Sequence, residues 1–169
     1  PDLDPDAGMI RLVYGLGTRA VDRVDGDYPR LISLDHPFLT PYAGSNDERK
    51  YTQKFVDLLN LKTNQHETVS LSQLMNSEAK PDLHLFGDVD YEGNRILKEL
   101  RIKGKDSWIL NFRAILKRGQ ILKDFKKVIL TLSEAYDYPI DMEFTVNFMP
   151  DESYRMNILQ CRPLQIRGN

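Results

Sequence analysis

Two short segments near the C-terminal end place ionisable and amide side chains at every second position of otherwise apolar runs. They are Asp141-Met142-Glu143-Phe144 and Leu159-Gln160-Cys161-Arg162-Pro163. Period-two spacing sends alternate side chains to one face of a strand. Two carboxylates, an amide and a guanidinium on one face suit a metal ion and a phosphate chain better than they suit a core. Carboxylate and amide oxygens are the hard ligands that Mg²⁺ takes. A planar guanidinium pairs with phosphate oxygens through two hydrogen bonds. A solvated sheet face with a cross-strand Asp–Arg pair would show the same spacing, and the residues alone leave both readings open.

The elements that must position these groups are legible. Residues 140–148 alternate cleanly: Asp141, Glu143, Thr145 and Asn147 share one face, and Met142, Phe144, Val146 and Phe148 the other. Residues 149–153 read as a turn, and 154–161 as a second strand that closes an antiparallel hairpin. If Met149 pairs with Tyr154, Glu143 lies opposite Gln160 and Asp141 opposite Arg162, with Cβ atoms about 5 Å apart. A slip of one residue would mix the faces, so the matched register is predicted. Met156 and Ile158 then fall on the polar face farther along the hairpin. Before it, residues 120–136 carry Ile121, Leu122, Phe125, Val128, Ile129, Leu132 and Ala135 on one stripe, an amphipathic helix that packs on a sheet. Lys123, Lys126 and Lys127 face water, and Tyr138-Pro139 ends it.

Other candidates carry less. Gly15-Leu16-Gly17 precedes a predicted helix and could cradle a phosphate. It lacks the third glycine of a dinucleotide fingerprint and the Gly-Lys-Ser/Thr of a P-loop, and a tight strand-to-helix turn is the preferred account of the residues by themselves. Asp88, Asp90, Glu92, Gly93 and Glu99 have calcium-loop spacing, but Pro81 and Gly87 spoil the entering helix. Asp88 or Asp90 as a helix N-cap is the preferred reading. His36, His66 and His84 are scattered, without zinc spacing. Cys161 falls on the apolar side of its strand and reads as a small core residue.

Composition sets bounds. The chain has 169 residues, 41% hydrophobic and 28% charged, the balance of an ordinary globular domain. A net charge of -2 gives no general attraction to nucleic acid or to an anionic membrane, and no apolar run is long enough for a membrane span. One cysteine excludes an internal disulfide and suits a reducing compartment, so a cytoplasmic location is expected. The chain opens at Pro1 without an initiator Met and is expected to be a single domain, 1–169, cut from a larger multidomain protein.

The rest of the chain is read more coarsely. Residues 9–14 form a strand. Thr18 caps a short helix over 19–25, with Gly26 just past its end. Residues 30–34 form a further strand and 35–47 a loop. Within a middle segment of about 40–112, the pattern predicts a helix over 48–61, with Phe55, Leu58 and Leu59 clustered. It predicts a strand at 68–71 leading to a helical turn at 72–75, and a short strand at 83–86. A helix over 91–100 and a strand at 107–112 complete the segment. The expected fold class is α+β, a mostly antiparallel sheet with packed helices.

Three of these segments resemble a known family. Gly15-Leu16-Gly17, a helix and Asp27-Tyr28-Pro29 look like the Gly-Leu-Gly segment of phosphoenolpyruvate synthases. Pro139-Ile140-Asp141-Met142-Glu143-Phe144 resembles their Pro-x-Asp-Ile-Glu-Trp/Phe segment, and Leu159-Gln160-Cys161-Arg162-Pro163 their Leu-Gln-Ala-Arg-Pro segment. The order agrees, and the middle of the chain is unmatched. The resemblance is to the N-terminal nucleotide-binding region of phosphoenolpyruvate synthase/pyruvate phosphate dikinase-like proteins, specifically its C-terminal ATP-grasp lobe.

The resemblance implies ATP and Mg²⁺ as cofactors. Glu143 and Gln160 would hold the metal on the ATP phosphates, and Asp141, Gly15 and Gly17 would support nucleotide binding. Arg162 would contact the phosphates and act catalytically by stabilising charge during transfer. The implied partners are the other ATP-grasp lobe and a phosphohistidine domain, whose histidine would receive the phosphoryl group as AMP leaves. This chain alone is not expected to complete the reaction. Thr18 stands where the family usually has an acidic residue. That departure keeps a second reading in play, a non-catalytic lobe acting as nucleotide sensor or interaction module.

Overall fold

A computed structural model describes residues 3–22, 24–42, 44–79, 81–102 and 106–165. The fold is α+β: among the described residues the strands pair into antiparallel two-stranded sheets, interleaved with helices. The chain divides into two compact units, 1–121 and 122–169.

In the first unit, β1 (Met9–Leu12) pairs with β2 (Arg30–Ser33), and Ile10 lies opposite Ile32. Ile10, Ile32, Leu34, Val56, Leu71, Leu83, Leu110 and Phe112 are buried and form its core. The helix predicted over 19–25 is a single turn, α1 (Thr18–Val21), and Gly17 rather than Thr18 is its N-cap. Residue 23 of that prediction lies outside the described residues, as does residue 43 of the predicted 35–47 loop. Gly26, at φ 80°, belongs to a reverse turn bridged by Val24 and Asp27, not to a helix end.

The largest departure from the sequence reading is at 48–61. Helix α2 (Ser45–Lys50) stops early, and β3 (Phe55–Asn60) pairs with β4 (Gln65–Ser70) in a hairpin. Asn64 turns it with φ 53°, a left-handed conformation that Asn tolerates. Phe55, Leu58 and Leu59 have helical spacing, but cross-strand pairing wins over that local pattern. Ser70 then starts α3 (Leu71–Met75) with a capping box closed by Gln73.

The strand predicted at 83–86 is a turn instead, with the amides of Phe86 and Gly87 both donating to the Leu83 carbonyl at 2.8 Å. β5 (Asp88–Val89) pairs with β6 (Trp108–Ile109), shorter than the predicted 107–112. Between them runs α4 (Tyr91–Glu99), N-capped by Asp90 through the Gly93 amide at 2.9 Å. Asp90 is buried against Arg49, and Glu92 and Glu99 both bond Arg95, so the calcium-loop pattern is a capped helix with surface ion pairs. A short helix, α5 (Arg113–Lys117), contributes the buried Ile115 and Leu116.

The long helix α6 (Gln120–Tyr136) has the predicted bounds. In the second unit its Phe125 is buried and meets Phe144 edge-on, ring centroids 4.6 Å apart. Phe144 lies on the hairpin of β7 (Ile140–Phe148) and β8 (Tyr154–Pro163). The Tyr154 hydroxyl donates to Asp124 on the same helix. The helix thus covers the apolar side of the hairpin and leaves the other side to the polar residues.

Candidate functional site

Every second residue of β7 and of the distal part of β8 is polar, and the hairpin brings these sets together. Asp141 pairs with Arg162 and Glu143 with Gln160. The predicted register of the four side chains is therefore the observed one. It is reached by a different route. Phe148, not Met149, pairs with Tyr154, so the turn is one residue longer than predicted. A β-bulge opposite the Glu143/Phe144 step then takes up Leu159 as the extra residue and restores the match. The bulge also corrects the placement of Met156 and Ile158. They pair with Val146 and Phe144 on the apolar side, while Arg155 and Asn157 oppose Asn147 and Thr145.

The geometry leaves ligand positions open. Arg162 donates from Nε at 3.1 Å and from Nη2 at 2.8 Å, both to Oδ2 of Asp141. Both partners are about half exposed, 53% and 44%. Among the described residues Arg162 Nη1 makes no hydrogen bond. The Asp141 hydrogen bond, then its charge and that of Glu143, raise the Arg162 pKa further above its usual value, so it is a permanent cation. Glu143 and Gln160 are exposed, and neither side chain makes a hydrogen bond among the described residues. A carboxylate and an amide oxygen thus stand side by side next to a cation that Asp141 holds in place.

These two oxygens fit Mg²⁺ in the manner it prefers with nucleotides: one or two protein ligands, the remainder from phosphates and water. No cluster of three or more His, Cys, Asp or Glu able to hold a metal occurs among the described residues.

Gly15 and Gly17 belong to the first unit and the hairpin face to the second. The two glycines differ. Gly15 has φ +94°, and a Cβ there would lie 2.6 Å from the Asp57 carbonyl oxygen and 2.6 Å from Val56 Cγ1. The Leu16 amide donates to that same carbonyl at 2.8 Å. Gly15 is thus required by close docking on β3. A Cβ on Gly17 would meet nothing within 4 Å, so the space beside it is open.

A polar network behind this loop was not visible in the sequence. Asp57 is buried and accepts from Thr18 at 2.6 Å, Thr68 at 2.6 Å and Arg19 Nε at 3.1 Å. Arg19 also bonds Asp27 at 2.9 Å. Burial opposes ionisation of Asp57, but the bonds from Thr18, Thr68 and Arg19 and the Arg19 charge outweigh it and lower its pKa. Asp57 was hidden because its segment reads as helix; the Asn60-to-Asn64 turn followed by Thr68-Val69 was the available signal for a hairpin.

The family model described as "Pyruvate phosphate dikinase, AMP/ATP-binding domain" matches residues 2–169. Neither the curated proteins nor the solved structures contain a match to the chain. No helix among the described residues is long and apolar enough to cross a membrane.

Proposed function

The chain belongs to the pyruvate phosphate dikinase AMP/ATP-binding domain family, so adenine nucleotide is its ligand, and from that premise we propose that it is the Mg²⁺–ATP-binding, ATP-grasp-like lobe of a dikinase-type phosphotransferase. The observation that carries the reading is the pairing of Asp141 with Arg162 and Glu143 with Gln160 on one exposed hairpin face. Glu143 and Gln160 would hold Mg²⁺, which when bound neutralises charge on the phosphate oxygens. Arg162, steadied by Asp141, directs its remaining donors at the phosphate chain. Its charge is fixed before reaction and grows in value as negative charge develops on the transferring group. Gly17 lies open for nucleotide contact on the first unit. In the complete protein ATP phosphorylates a histidine carried by another domain and AMP is released.

The test is AMP formation by the full-length protein with ATP, Mg²⁺ and pyruvate as candidate acceptor, beside Arg162→Ala. AMP from wild type that disappears in the folded variant supports a catalytic lobe. A second reading, a nucleotide sensor without catalysis, is favoured by one observation: Thr18, standing where the family has an acidic residue, spends its hydroxyl on Asp57. Mg²⁺-dependent ATP binding without AMP formation with any acceptor would select it.

A further inference from the structure

Arg30, the first residue of β2, is 6% exposed, yet its Nε and Nη1 are buried without a hydrogen-bond partner. A buried cation without an acceptor is costly, and proteins rarely retain one without a reason. It lines a small cavity of about 10 Å³ together with Tyr28, Tyr42, Tyr51, Glu48, Thr52 and Asn111. Four of the polar side chains of that wall are already engaged elsewhere. Both Glu48 carboxylate oxygens accept from Arg113 at 2.8 Å. The Asn111 amide donates to Asp88 and its oxygen accepts from the Arg113 amide. Thr52 donates to the Leu110 carbonyl and Tyr42 to the Tyr51 carbonyl. What faces the guanidinium instead is the Tyr42 ring, with Arg30 Cζ 5.8 Å from its centroid. Tyr42 is itself stacked on Tyr51, and Tyr51 meets Tyr28 edge-on. The cavity is partly open rather than enclosed, and Tyr28 on its wall is 39% exposed.

We propose that Arg30 is the recognition group of a second ligand site, which takes a phosphate group by seating one of its oxygens between the guanidinium and the tyrosine rings. The volume admits one water-sized atom, which matches a single phosphate oxygen with the rest of the group outside. Aromatic walls keep the local dielectric low and strengthen the charge–charge attraction. The Glu48 carboxylate on the same wall is neutralised by Arg113 and does not repel the ligand. This site lies wholly in the first unit and uses none of the hairpin residues.

The probe is inorganic phosphate, with methyl phosphate as a second arm to separate free phosphate from a phosphoester. Thermal unfolding of the full-length protein is followed as phosphate replaces chloride at constant ionic strength. A ligand at ten times its Kd raises Tm by about 3–6 °C for a domain of this size. That rise is expected in wild type and in Arg162→Ala, and absent in Arg30→Met. The Arg30 Nε–H resonance of the wild-type protein is expected to shift with the same Kd, a reading that stands if Arg30→Met fails to fold. A rise in both arms assigns a phosphoester-tolerant site, and a rise with inorganic phosphate alone a free-phosphate site. No rise in wild type, an equal rise in Arg30→Met, or an unmoved Nε–H resonance overturns the proposal.

Discussion

Gly15→Ala and Gly17→Ala are one chemical change made two residues apart, and the structure assigns them opposite outcomes. At position 15 the methyl group meets two obstacles. The backbone has φ +94°, a conformation that costs a non-glycine residue roughly 1–3 kcal/mol. The new Cβ would also lie 2.6 Å from both the Asp57 carbonyl and Val56 Cγ1. The carbonyl is fixed by the Leu16 amide, and Val56 is fully buried, so relief requires moving β3. Overpacking of that kind costs roughly 1–3 kcal/mol more. The total is about 2–6 kcal/mol, which at a urea slope of about 2 kcal/mol/M lowers the unfolding midpoint by about 1–3 M. At position 17 the backbone is right-handed helical and the methyl enters open space. Stability there changes by under about 1 kcal/mol, with gain favoured because the unfolded chain loses freedom. Trp108, the only tryptophan, lies in the first unit and reports its unfolding by fluorescence. Weaker ATP binding by Gly17→Ala at an unchanged midpoint would give Gly17 the ligand-facing role. A Gly15→Ala midpoint within error of wild type would refute the account of this loop.

Asp57→Ala is expected to cost about 3 kcal/mol by leaving Arg19 partly uncompensated in a buried setting, read as a lower urea midpoint by Trp108 fluorescence. Because the native Asp57 pKa is lowered, its contribution is complete above about pH 4 and lost as pH falls through the native value; acid unfolding of wild type should show this loss and Asp57→Asn should flatten it. In the second unit, burial and then the Asp124 bond push the Tyr154 phenol up to about 12. A raised native value means the contact stabilises below pH 10 and is lost as pH rises toward 12. Tyrosinate absorbance of wild type should therefore contain a late-titrating step that Tyr154→Phe removes.

The hairpin was legible because strict alternation over Asp141–Asn147 and the polar pair Gln160/Arg162 leave one register that keeps the faces separate. The turn length was misjudged by one residue, and the bulge at Leu159 cancels that error at Glu143 but not at Met156 and Ile158. No residue type demands a bulge there, so period-two reasoning could not see it. Helix α6 was legible because seven apolar residues repeat at its period. Residues 55–60 were not, since Phe55, Leu58 and Leu59 sit at i, i+3, i+4 and only pairing with Gln65–Ser70 makes them a strand. Misreading that strand concealed Asp57, and with it the reason Thr18 is not a cap. Arg30 could not be found from sequence at all, because most of what surrounds it, Tyr42, Tyr51, Thr52 and Asn111, comes from segments farther along the chain.

The central claim is that the Glu143/Gln160/Arg162 face binds Mg²⁺–ATP. The most direct measurement is calorimetric titration of ATP into the full-length protein with and without Mg²⁺, in wild type, Glu143→Ala and Arg162→Ala. All three side chains are exposed, so the variants should keep the wild-type fold by circular dichroism. The account predicts Mg²⁺-dependent binding in wild type, weakened roughly tenfold or more in each variant through loss of a charged contact. Wild-type affinity retained by both folded variants would contradict it.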